Sequence, residues 1–150
     1  MTKGNLIIVR GIPGSGKSTF AKTLVDKAHY VHLEADMYFI DPATKQYNFD
    51  INKIGFAHEW CQEQTFDHLN RNWSVVVSNT FTTIKELRPY FDIAKELNIV
   101  PTVLLVQGNF KSVHNVPEKT LQKMKARFQY DISELYNELL NVETEDWTEL

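Results

Sequence analysis

Apolar residues in this chain occur in two patterns: short unalternating runs, and longer stretches where they return every three or four positions. Leu6-Ile7-Ile8-Val9, Val75-Val76-Val77 and Val103-Leu104-Leu105-Val106 are of the first kind, as expected of strands covered on both faces. The spacing predicts strands at Asn5–Val9, Tyr30–Glu34, Val75–Val77 and Val103–Val106. Helices are expected between them. One is Lys17–Lys27, with Phe20, Leu24 and Val25 on a helical repeat; another runs from Ile51 to about Asn70, where Ile54, Ala57, Cys61, Thr65 and Leu69 share a face. Ile40 to Asp50, with Pro42 and Asn48, reads as a loop.

Two places hold competing signals. Thr83-Ile84-Lys85-Glu86 has capping-box spacing, yet Pro89 would then lie inside the helix, so the preferred reading makes Pro89 the first helical residue of a helix ending near Asn98. After the connector Gln107–Pro117, the stripe Leu121, Met124, Phe128, Ile132, Leu135 and Leu139 predicts a single long last helix.

Strands alternating with helices imply an α/β architecture with a mostly parallel sheet of four to five strands covered on both faces, and ligands bind such sheets beyond the carboxyl ends of their strands. Four segments should therefore converge: the loop after the first strand, Asp36 after the second, Ser78-Asn79-Thr80 after the third, and the Lys111 connector after the fourth. The first of these carries the clearest chemistry. Gly11-Ile12-Pro13-Gly14-Ser15-Gly16-Lys17-Ser18 fits G-x-x-x-x-G-K-[ST], a loop whose inward amides cradle the phosphates of a nucleoside triphosphate. Gly14, Ser15, Gly16, Lys17, Ser18 and Thr19 form the expected phosphate-binding set. Lys17 brings a charge to the outer phosphates, and Ser18 offers a hydroxyl to magnesium.

Composition narrows the setting. With 150 residues, 43% hydrophobic and 23% charged, a single domain with its own core is expected: core about 5–128, then a helix and acidic tail over 129–150. Cys61 is the lone cysteine and cannot form an intramolecular disulfide; no leader or membrane span is evident, so a cytoplasmic setting is expected. A net charge of -3 argues against a broad duplex-binding surface. A local one stays open. Lys111, Lys119, Lys123, Lys125 and Arg127 face only Glu118 within their stretch, whereas from Asp131 onward there are seven acids and no Lys or Arg.

Taken in order, several further signatures resemble the P-loop kinase domain of phage polynucleotide 5′-hydroxyl kinases and related AAA-type ATP-binding proteins. They are Ala35-Asp36-Met37-Tyr38-Phe39, Tyr47-Asn48-Phe49, Ala57-His58-Glu59-Trp60-Cys61, Val75-Val76-Val77-Ser78-Asn79-Thr80-Phe81, Pro89-Tyr90 and His114-Asn115-Val116-Pro117 followed by Met124. The resemblance covers about residues 5 to 128. It implies a P-loop NTPase three-layer α/β/α sandwich with a small lid, and transfer of the γ-phosphoryl of ATP, with Mg2+, to a hydroxyl acceptor. The acceptor would be a single-stranded nucleic-acid end or a nucleotide 5′-OH. By the same resemblance, Asp36 is the general base and Lys111 stands where relatives place a lid arginine.

The chain departs from that pattern at three positions. Phe39 replaces a basic residue that holds the acceptor's phosphate, Asn79 stands where the third strand can end in an acid, and lysine replaces arginine at 111. Two alternatives therefore stand beside the first: a small-molecule kinase acting on a nucleoside, sugar or nucleotide-sugar, and a nucleotide-binding module with little turnover. Tyr38, Tyr47, Phe49 and Trp60 form a candidate stacking wall, with core packing the preferred reading for Trp60. His29, His32, His58, His68 and His114 lack paired metal-ligand spacing, and Cys61 reads as a buried thiol.

Overall fold

The unalternating runs become strands because each can bury both faces in a parallel sheet. In a computed structural model, which describes residues 4–109 and 116–141, the strands are β1 (Leu6–Arg10), β2 (Val31–Leu33), β3 (Val75–Asn79) and β4 (Thr102–Leu105). They lie in the order β2-β3-β1-β4, all parallel, with Leu6 opposite Val75, Ile7 opposite Thr102 and Val31 opposite Val75. Val75, Val76 and Val77 are fully buried. Among the described residues the sheet thus has the smaller of the two expected strand numbers.

Helix α1 (Lys17–Ala28) covers one face, packing Ala21 and Leu24 on Val9 and Val76. The other face carries α2 (Ile54–Asn70), α3 (Ile84–Glu96) and α5 (Ser133–Leu140), which bury Leu6, Ile8, Val75 and Val77 in the main core; α4 (Glu118–Arg127) precedes α5. This is the three-layer α/β/α arrangement. The buried residues of α2 are Ala57, Cys61, Thr65 and Leu69, the face expected from spacing, although Ile54 is exposed. No described helix is long and apolar enough to cross a membrane.

Two expectations are corrected. Helix α3 starts at the Thr83 cap and keeps Pro89 inside it. The capping box is complete: Thr83 Oγ1 accepts from the Glu86 amide, and Glu86 Oε2 accepts from the Thr83 amide at 2.9 Å. That satisfied first turn, together with burial of Leu87 on the stripe of Tyr90, Phe91 and Ala94, offsets the hydrogen bond that Pro89 cannot make.

The long last helix is instead two. The chain turns extended at Phe128, where Gln129 donates its amide to Thr82 O at 2.7 Å and accepts from the Ile84 amide through Oε1 at 2.7 Å. Asp131 then accepts the Ser133 amide at 3.0 Å and opens α5. The apolar stripe is continuous in sequence, but these tertiary hydrogen bonds outcompete helical ones. Arg10 completes the joint. It is 2% exposed, donates to Phe81 O through Nε and Nη2 at 3.0 and 2.7 Å, and lies 4.4 Å from the Phe128 ring centre.

Candidate functional site

β1 delivers the chain straight into the glycine loop. Gly14 and Gly16 turn at φ 85° and 94°, a region closed to most side chains, which lets the backbone fold back toward the start of α1. Gly11 is required for a different reason. A Cβ there would sit 2.5 Å from Ser15 Oγ and 2.6 Å from Val106 O, so its constraint is packing inside the protein. Gly16 caps α1 without a side-chain hydrogen bond, and no acid occupies the first turn. The amides of this helix end therefore have no side-chain cap, and that donor set, with Lys17, fits polyphosphate.

Lys17 sits between opposing influences. Burial pushes its ammonium below the ordinary value, while the Glu34 and Asp36 carboxylates pull it back up. Ser18 and Thr19 follow on the first turn of α1, and Thr19 is exposed. The expected phosphate-binding residues are thus contiguous at one helix end. Lys111 lies outside the described residues, as does most of the connector expected to form the lid.

A residue that sequence reasoning passed over stands at the centre of the site. Glu34, just past β2, accepts a hydrogen bond from Ser18 Oγ and another from Ser78 Oγ at 2.8 Å, all on Oε1. His32 Nε2 lies 2.7 Å from Ser78 Oγ and 3.2 Å from the same carboxylate oxygen. Burial alone would raise the Glu34 pKa. The hydrogen bonds from His32, Ser18 and Ser78 outweigh it, and the carboxyl falls to about 2. His32, Glu34 and Ser78 share the sheet face that α1 covers, which is why they meet Ser18. Alternation put His32 and Glu34 on one side in the sequence, but nothing there joined them to Ser18 or Ser78.

Asp36 occupies the 3-10 helix Ala35–Phe39 that follows. Asn79, at the end of β3, holds that turn: its Oδ1 accepts the Ala35 amide at 2.9 Å, while its Nδ2 reaches Cys61 Sγ at 3.8 Å. The expected gap in the third strand is therefore filled by a residue that ties the Asp36 turn to the core. Cys61 is fully buried, and burial pushes its thiol above the ordinary range. Tyr47 donates to Asp36 Oδ1 across a long 3.4 Å contact.

The aromatic residues divide as their burial dictates. Phe39 is 7% exposed and packs edge-on against Tyr38, Tyr47 and Phe49, so it anchors the loop from within. Trp60 is packed on the main core. Tyr38, Tyr47 and Phe49 are 37%, 43% and 52% exposed and form an open aromatic rim beside Asp36. Among the described residues no group of three or more His, Cys, Asp or Glu side chains could hold a metal ion unaided. Magnesium would be held by Ser18 together with phosphate oxygens and water, which matches the reluctance of that ion to shed its hydration.

The chain is similar in sequence and fold to several known proteins. Human (Homo sapiens) NEDD4-binding protein 2 is 37% identical over 93 residues, covering 61% of this chain and 5% of that protein. The bifunctional polynucleotide phosphatase/kinase of Schizosaccharomyces pombe is 26% identical over 137 residues, covering 83% of this chain and 29% of that protein. A solved structure of the Pnkp1/Rnl/Hen1 complex contains a chain with the same fold, at TM-score 0.55 and 20% identity, covering 82% of this chain and 39% of that one. This chain therefore spans less than a third of the two curated relatives. The profile of the AAA domain family, AAA_33, matches residues 6–130, and the chain belongs to that P-loop family.

Proposed function

We propose that this chain is an ATP-dependent phosphotransferase that moves the γ-phosphoryl group of ATP to a hydroxyl, with a polynucleotide or nucleotide 5′-OH as the acceptor. The observation that carries this reading is the carboxylate of Asp36, held on the turn after β2 close enough to act on the charge of Lys17. Loop amides and Lys17 hold the phosphates. Asp36 takes the acceptor proton as the acceptor oxygen bonds to the γ-phosphorus and the bond from that phosphorus to the departing ADP oxygen breaks. Magnesium, when bound, neutralises charge on the β- and γ-oxygens. Lys111 is assigned to the donor side as a neutralising cation.

The acceptor assignment rests on the rim. Tyr38, Tyr47 and Phe49 are exposed around Phe39, with Tyr47 hydrogen-bonded to Asp36, and exposed aromatic rings stack on any base. Phe39, buried beneath them, offers no cation to an acceptor phosphate; this favours, as the second reading, a small-molecule acceptor.

The test is transfer of label from γ-labelled ATP to a panel of 5′-hydroxyl oligonucleotides, nucleosides and sugars. Labelled oligonucleotides are expected. Label in nucleosides or sugars alone would replace this reading with the second, and ATP binding without transfer to any acceptor would reduce the chain to a nucleotide-binding module.

A further inference from the structure

We infer that Glu34 is the protein carboxylate of the magnesium site, acting through Ser18 and metal-bound water and held in position by His32 and Ser78. The inference rests on the reading that the loop binds ATP, and goes beyond it by naming a second residue for the metal. Ser18 is the only side chain on the phosphate-loop side expected to meet the ion, and its hydroxyl proton is already committed to Glu34. That commitment leaves the lone pairs of Ser18 Oγ to face a cation.

The geometry at Glu34 is unequal. Oε1 receives Ser18, Ser78 at 2.8 Å and His32 at 3.2 Å, whereas Oε2 accepts no hydrogen bond among the described residues. A carboxylate with one oxygen fully engaged is fixed in rotation and offers the other oxygen to an incoming group. The side chain is 16% exposed, open enough for water to reach it. A hydrated magnesium ion supplies the matching donors, because it keeps several waters and is bound through one or two carboxylates plus substrate phosphates. The residue just past β2 thereby supplies a carboxylate that β3, ending in Asn79, does not. His32 and Ser78 are positioning residues here. They hold Glu34 as outer partners hold metal ligands elsewhere, where their loss typically costs about 10–100-fold in affinity.

Calorimetric titration of ATP with magnesium and with EDTA, on wild type and on Glu34→Gln, reads the metal contribution apart from turnover. Wild type should bind ATP more tightly with magnesium. Glu34→Gln should lose about tenfold or more of the magnesium-dependent gain, read as the ratio of its own affinities with magnesium and with EDTA. Ser78→Ala, which removes one donor and leaves the carboxylate, should lose a smaller part of the gain and serves if the first variant folds poorly. Equal magnesium-dependent gains in all three proteins would overturn the role of Glu34 while leaving ATP binding intact. Failure of wild type to bind ATP in either buffer would overturn the nucleotide reading itself, and Glu34 with it.

Discussion

The two faces of the sheet are built from different materials. Under α2, α3 and α5 lies a broad apolar core running from Leu6 and Ile8 through Leu69 and Leu87 to Leu135. Under α1 the buried apolar set is Val9, Ala21 and Val76, edged by partly buried Ile7, Leu24, Tyr30 and Val106. At the carboxyl end of that thinner face, Ser18, Glu34, Ser78 and His32 are hydrogen-bonded to one another in positions that apolar side chains could otherwise fill. One face fixes the strands in register. The other gives up packing to hold a charged site, and polar groups so placed are tolerable only because each finds a partner.

The sharpest way to break this contrast is to remove function from a residue the core does not use. Asp36→Ala should lower phosphoryl transfer by roughly 10²–10⁴-fold, the range for loss of a general base. Its calorimetric affinity for ATP and its thermal midpoint should stay close to wild type; loss of both would mean that Asp36 is structural.

Next comes the core itself. Leu87→Ala, on the thick face, should cost about 2–5 kcal/mol in denaturant unfolding. Leu24→Ala, half-buried on the thin face, should cost roughly 1–2 kcal/mol. Equal losses would erase the distinction between the faces.

Acid sensitivity should report the thin face specifically. The Glu34 carboxyl falls from 4.5 to about 2 in the fold, so it favours the native state above its unfolded value and loses that contribution as pH drops toward 2. A shift of that size is worth about 3 kcal/mol. Stability curves of wild type and Glu34→Gln should run together near pH 2 and separate as pH rises to about 4.5, then stay parallel. Curves parallel throughout would show that Glu34 contributes no such linkage. The smallest effect is expected at the rim of the thick face, where Thr83→Ala removes half of a capping box and should cost about 1 kcal/mol in the same unfolding assay.

What could be read from the sequence follows from the range of the interactions concerned. The glycine loop and the α2 face of Ala57, Cys61, Thr65 and Leu69 are set by neighbours within a few residues, and both emerged from spacing alone. Pro89 misled because its penalty is local, whereas what offsets it includes the burial of Leu87 against distant strands. The break at Phe128 depends on Thr82, and no periodicity encodes a hydrogen bond across that distance. Glu34 was missed for the same reason. Its partners are Ser18 and Ser78, and only the parallel register brings the ends of β2 and β3 to the start of α1. Asn79 looked like a missing acid because its actual task, holding the Ala35 amide, exists only in the fold.

Arg10, the residue immediately before the glycine loop, sends its guanidinium through to the thick face and fastens on Phe81 O and Phe128. The entrance to the phosphate cradle is thus moored, through Phe81, to the larger of the two apolar cores. Amide hydrogen exchange at Gly11 should then follow the global opening rate rather than that of a surface bend.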